Sequence, residues 1–242
     1  MELEKLPFGE LVELSEKCPG RAVYFLKRRI ASSFHIFGGN YRELAEVLKA
    51  LQHPDSMVLR GTNKRREHDV VMKEVGRLLH NFACAIETLG QHVRRLVLQE
   101  YSGSSFRAEY ERRVKEMFHS HFAQFMQDLR DYAVHCELPP FSDRVDLKLD
   151  RGNVVERSMG ITLEVDKLKA GYEWQSMARD YLEKLDAEDI DLLNLIEEYY
   201  LTVARFYEWL DSAIDKMHAE ELSEFRAVTD EIGRRIDQKD AA

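Results

Sequence analysis

Apolar residues recur along most of this chain at the spacing of an amphipathic helix. From about Lys64 to Gln99, Val71, Val75, Leu78, Leu79, Phe82, Ile86, Leu89, Val93 and Leu96 follow i, i+3, i+4 intervals, which places them on one face of a single long helix. Ser102-Gly103-Ser104 interrupts the pattern. Phe106, Tyr110, Val114, Met117, Phe118, Phe122, Phe125, Leu129, Tyr132 and Cys136 then repeat it as far as Leu138-Pro139-Pro140. Pro139 drives its predecessor out of the helical region, so this second helix should end near Glu137. A short connection between two long helices predicts an antiparallel hairpin whose apolar stripes face each other over residues 65–138.

Upstream, Phe8 to Glu16 reads as a short helix, followed by the punctuation Cys18-Pro19-Gly20 and a helical run from Arg21 to Phe37. Gly38-Gly39 should end that run, and Asn40 offers an N-cap for a further helix to about Gln52, closed by Pro54. Downstream, Arg144-Val145-Asp146-Leu147-Lys148-Leu149 and Ile161-Thr162-Leu163-Glu164-Val165 alternate strictly around the turn chemistry of Asp150-Arg151-Gly152-Asn153, which predicts a β-hairpin. Helical period returns from Asp166 to Leu185 and again from Ile190 to Met217, and the stretch from Ala219 to Ala242 reads as a polar tail, amphipathic at best and frayed at its end. The expected fold is therefore mainly α: a helical bundle built on a long antiparallel helical hairpin, with one small β-hairpin insertion near 143–165. Its expected organisation is an N-terminal helical lobe (1–60), the bundle (61–218) and a C-terminal tail (219–242), all able to share one compact domain.

Composition narrows the class. At 242 residues the chain can bury roughly 70–75% of its unfolded surface, so the fold needs no disulfide or structural metal. Cys18, Cys84 and Cys136 are odd in number and form no CxxC, which points to free thiols. No run approaches the roughly 18 apolar residues of a membrane span, and the start has neither a basic nor an apolar leader region. The expectation is a cytoplasmic protein with no membrane partner. Net charge is −9, unevenly spread: residues 60–115 hold twelve Lys or Arg against seven Asp or Glu, while residues 180–224 hold three against fourteen. An anionic ligand would choose the middle of the chain; the acidic 180–224 region suits a different partner.

The familiar nucleotide and hydrolase signatures GxxxxGK[ST], GxGxxG after a strand, GxSxG, HExxH and an EF-hand loop are all missing. Six of the nine histidines, His68, His80, His92, His119, His121 and His135, lie on or beside the central hairpin. His119 and His121 sit about 200° apart on a helix and cannot grip one metal together, so no metal or other cofactor is expected. An Arg followed by His at short range occurs at Arg130-Asp131-Tyr132-Ala133-Val134-His135, and in looser form at Arg28 and Arg29 with His35 and at Arg112 and Arg113 with His119. The Arg130 pair stands apart. A short polar residue follows its Arg, its His falls one turn before a Pro-terminated helix end, and the partner helix of the hairpin brings His80 and Asn81 to the same unit. Read structurally instead, Arg130 would pair with Asp128 or Asp131 and His135 would cap the helix C-terminus.

Leu79-His80-Asn81-Phe82 with His92-Val93-Arg94-Arg95 on one helix, and Phe125 through Leu129-Arg130 to His135 with Leu138-Pro139 on the next, resemble the HEPN superfamily of helical bundles, in particular an uncharacterised bacterial and phage branch. The resemblance covers the central hairpin. It implies a metal-independent endoribonuclease of toxin–antitoxin or phage-defence type, acting as a homodimer in which the Arg and His of both chains meet in one cleft, with RNA as substrate and an antitoxin or regulatory protein as possible partner. It equally admits members that have lost activity and serve as modules binding a protein partner or nucleotide.

Under the ribonuclease expectation, the RNA 2′-hydroxyl attacks its own phosphate and leaves a 2′,3′-cyclic phosphate. His135 would move the proton as general acid or base, and the Arg130 fork would clamp the phosphate oxygens. Asn81 or His80 would orient the substrate or His135. Arg94, Arg95, Arg112 and Arg113, nearer the turn of the hairpin, would contact the RNA backbone. Asp131 is double-edged, since a carboxylate beside Arg130 can neutralise it. Cys136 and Tyr132 are expected as buried packing, and Phe118, Phe122 and Phe125 as core between the helices.

Overall fold

Pro19 stands at the first position of a helix, where its fixed φ suits the helix and its missing N–H would have had no partner. The structure, a computed structural model, describes residues 3–53, 55–56, 64–150 and 153–240. After a 3-10 turn at Leu3–Lys5, the chain runs through α1 (Phe8–Lys17), α2 (Pro19–Gln52), α3 (Arg65–Glu100), α4 (Ser105–Phe118) and α5 (His121–His135). Strands β1 (Phe141–Asp150) and β2 (Asn153–Glu164) follow, then α6 (Val165–Gly171), α7 (Ser176–Lys184), β3 (Asp189–Asp191), α8 (Leu192–Met217) and α9 (Ala219–Asp240). The fold is mainly helical with a small antiparallel sheet in the order β1-β2-β3. None of the described helices is long and apolar enough to cross a membrane. The chain divides into two compact units, residues 3–32 with 207–240 and residues 33–206, the divisions falling inside α2 and α8.

In the unit of the two chain ends, α9 packs on α1. The segment read as a polar tail, amphipathic at best, is helical over Ala219–Asp240 and buries Phe225 and Val228. Gly20 makes its start possible, because a Cβ there would fall on the Glu221 carbonyl and within 2.8 Å of Phe225 Cβ. Arg235 donates to the Leu6 carbonyl at 2.6 Å, that of Glu4 at 2.9 Å and that of Leu3 at 3.0 Å, tying α9 to the N-terminal turn. Glu231 braces this latch, and hydrogen bonds from Arg234 and then Arg235 hold its carboxyl below the usual carboxylate range. Lys27 reaches Asp211 at 3.1 Å and also Asp215.

The larger unit corrects three expectations. Gly38-Gly39 does not end a helix: Asn40 donates its side-chain amide back to the Ile36 carbonyl at 2.9 Å instead of capping a new one. Phe37 and Tyr41 stack on Tyr200, at ring centroid distances of 5.8 and 4.0 Å. Burial of these rings outweighs the roughly 1 kcal/mol that each interior glycine costs. Second, the hairpin's second arm is two helices. Ser120 accepts from the Ala123 N–H at 3.1 Å and starts α5, while Gln124 donates to the freed Phe118 carbonyl at 2.8 Å. Third, the helical stretch from Asp166 splits into α6 and α7 around Trp174, whose indole N–H donates to the Leu168 carbonyl at 2.7 Å.

Other expectations are met. The α3–α4 turn uses Gly103 at φ +75° and Ser104 as N-cap to Arg107. The β-hairpin forms with Phe141 opposite Leu163 and Asp150 opposite Asn153, and β3 adds Thr162 opposite Asp191; the turn residues Arg151 and Gly152 lie outside the described residues, as does Pro54. Phe125 and Tyr132 are buried in an aromatic cluster with Tyr172, Trp174 and Tyr181, whereas Phe118 and Phe122 are half-buried.

Candidate functional site

Helix α5 ends where Pro139 requires, with the Cys136 N–H bonded to the Tyr132 carbonyl at 3.0 Å. Its last two turns carry the Arg130–His135 motif, and α3 packs alongside. The contacts across the two helices run in opposite order, His80 to Ala133 and Glu87 to Arg130, so α3 and α5 are antiparallel here.

Arg130 spends its fork within the chain. Nη1 donates to Glu87 Oε2, while Nε and Nη2 donate to Asp131 Oδ1 at 3.1 and 2.6 Å. The Arg130 side chain is 20% exposed, against 42% for Glu87 and 30% for Asp131. Two carboxylates against one guanidinium leave the local charge negative. Behind it lies a narrow apolar pocket, lined among others by Leu79, Phe82, Met126 and Ile196, with room for about one water molecule.

His135 closes α5 and is exposed, with no hydrogen-bond or ion-pair partner among the described residues. No hydrogen bond or ion pair joins it to Arg130. Asn81 is half-buried on α3. His80 bridges the helices, its Nδ1 3.1 Å from the Ala133 carbonyl oxygen and its Nε2 3.5 Å from Cys84 Sγ. Cys136, expected as buried packing, is exposed, because α5 unwinds at that residue and releases it from the helix face.

The arginines assigned to RNA backbone contact divide. Arg112 donates to Glu109 at 2.6 and 2.9 Å and also to Glu116, and Arg113 reaches Glu109 at 3.3 Å. These pairs lower the Glu109 carboxyl, chiefly through Arg112. Arg94 and Arg95 are exposed on α3, with no carboxylate partner among the described residues.

Sequence reasoning missed two participants. Cys84 and Glu87 stand one and two turns along α3 from His80, at i+4 and i+7, a polar stripe beside the apolar face that spacing alone could have exposed. Asp128 does not pair with Arg130. It is buried and accepts the Gln175 backbone N–H at 2.7 Å, and burial, helped by the nearby Asp131 charge, pushes its carboxyl upward. Tyr132 donates to Glu137 at 2.7 Å; burial and that bond push its hydroxyl up to about 12, so it moves no proton near neutral pH.

Among the described residues no group of three or more His, Cys, Asp or Glu side chains is placed to hold a metal ion. Against family models, curated proteins and solved structures alike, the chain has no significant match.

Proposed function

We propose that this chain is a non-catalytic helical module that acts by binding a protein partner. The observation that carries this reading is the occupation of the Arg130 fork by Glu87 and Asp131 of its own chain. A phosphate would have to displace two carboxylates to reach it, at a locus already negative, and Arg112 and Arg113 are occupied in the same way. The pocket behind Arg130 is far smaller than a nucleotide, which favours a protein partner; the acidic surplus of residues 180–224 suits one with a basic surface.

A second reading is the HEPN-type metal-independent endoribonuclease, a toxin or phage-defence effector under an antitoxin's control. The observation in its favour is His135, exposed and unengaged at the end of α5. In that reading a homodimer supplies the cleft, and RNA or the second chain draws Arg130 away from Glu87.

One experiment separates the two. Purified protein is incubated with labelled total RNA and transfer RNA in EDTA, wild type beside His135→Ala. The binding module predicts intact RNA with both proteins. Metal-independent cleavage lost in His135→Ala would overturn it and establish the ribonuclease.

A further inference from the structure

His80 and Cys84 lie one turn apart on α3, both half-buried, with α5 supplying the third member of the group. The Ala133 carbonyl can only accept, so the His80 nitrogen facing it, Nδ1, carries the ring proton. The neutral imidazole then presents the lone pair of Nε2 to Cys84, and the thiol donates S–H to it across 3.5 Å. A nucleophile in reach of a base, with the base oriented by a third group, is the arrangement that activates a thiol for attack.

From this geometry we propose that Cys84 is a nucleophilic site for soft α,β-unsaturated carbonyl compounds, with His80 as its base. In the addition, Cys84 Sγ forms a bond to the β-carbon and the alkene π pair moves towards the carbonyl oxygen. The thiol proton passes to His80 Nε2 and from there to the α-carbon. No group leaves and no oxidant or reductant is consumed. The Ala133 carbonyl holds Nδ1–H throughout and stabilises the transient imidazolium.

The other two thiols are internal controls. Cys136 is exposed beside His135, but adjacent residues diverge by about 100° and no hydrogen bond joins them. Cys18 is half-buried with no imidazole partner among the described residues. Exposure alone therefore ranks Cys136 first, and the dyad ranks Cys84 first.

The test treats the full chain with limiting N-ethylmaleimide near neutral pH and follows each cysteine by peptide mass mapping. Cys84 is expected to react faster than Cys136, and His80→Gln to slow Cys84 by on the order of tenfold or more while leaving Cys136 unchanged. A Cys84 rate no higher than that of Cys136, or one indifferent to His80→Gln in a folded variant, would overturn the proposal. Should His80→Gln fail to fold, wild type in urea decides: Cys84 must react faster in the native chain than in the unfolded one, and the reverse order refutes the dyad.

Discussion

Two polar bridges cross the same helix pair, about two turns apart, and they are built on opposite principles. At Arg130, three full charges meet at the rim of the α3–α5 contact, two carboxylates holding one guanidinium. At His80, neutral groups form a directed chain, from the Cys84 thiol through the imidazole to the Ala133 carbonyl. Charge density therefore marks the less available of the two sites. A guanidinium held by two carboxylates has given up the donors that a phosphate would need, whereas an imidazole with one nitrogen fixed on a carbonyl turns the other towards the Cys84 thiol.

The largest break in this comparison should come from Arg130→Ala. It leaves Glu87 and Asp131 facing each other without a cation, and the arginine is mostly buried, so the cost should lie between that of surface and buried pairs, about 1–3 kcal/mol in denaturant unfolding. His80→Ala removes one interhelix hydrogen bond and strands the Ala133 carbonyl, for about 1–2 kcal/mol. A loss from His80→Ala exceeding that from Arg130→Ala would reverse the ranking of the two bridges.

Asp128 sharpens the contrast through pH. Its folded-state carboxyl is raised, chiefly by burial, so the folded protein holds that proton more tightly than the unfolded chain does. The stability it contributes is complete below the unfolded value of about 4 and is lost as pH rises through the folded value. Asp128→Asn keeps an acceptor for the Gln175 N–H and removes the titration. Relative to wild type, the variant should gain stability as pH rises from about 4 towards neutrality; a difference independent of pH would show that Asp128 is charged without cost. The smallest effect is that of salt. Raising ionic strength from about 0.1 to 1 M should reduce the Arg130→Ala penalty by a few tenths of a kcal/mol and leave that of His80→Ala unchanged in paired melts.

The elements most legible in the sequence were those whose apolar spacing coincides with what tertiary packing needs. Helix α3, the Gly103 turn and the α5 stop before Pro139 follow from period, φ requirement and proline sterics, all local. Where the reading failed, a non-local contact outvoted a local signal, or a local signal was masked by a continuing stripe. Tyr200 holds α2 together through Gly38-Gly39, and the Ser120 cap breaks the second arm although Phe118, Phe122 and Phe125 continue its apolar period. Helix α9 has a mostly polar sequence, and what anchors it is non-local: Phe225 and Val228 are buried and Arg235 latches onto the N-terminal carbonyls.

The candidate site divides in the same way. The sequence by itself determined a mainly helical chain with a β-hairpin, and it located Arg130 and His135 near the end of a helix, because helical period and proline stops act within a few residues. Only the tertiary structure decided what those side chains can do. Glu87 lies 43 residues from Arg130 and Ala133 lies 53 from His80, and which donor meets which acceptor across a helix pair depends on their packing register, which no local pattern encodes.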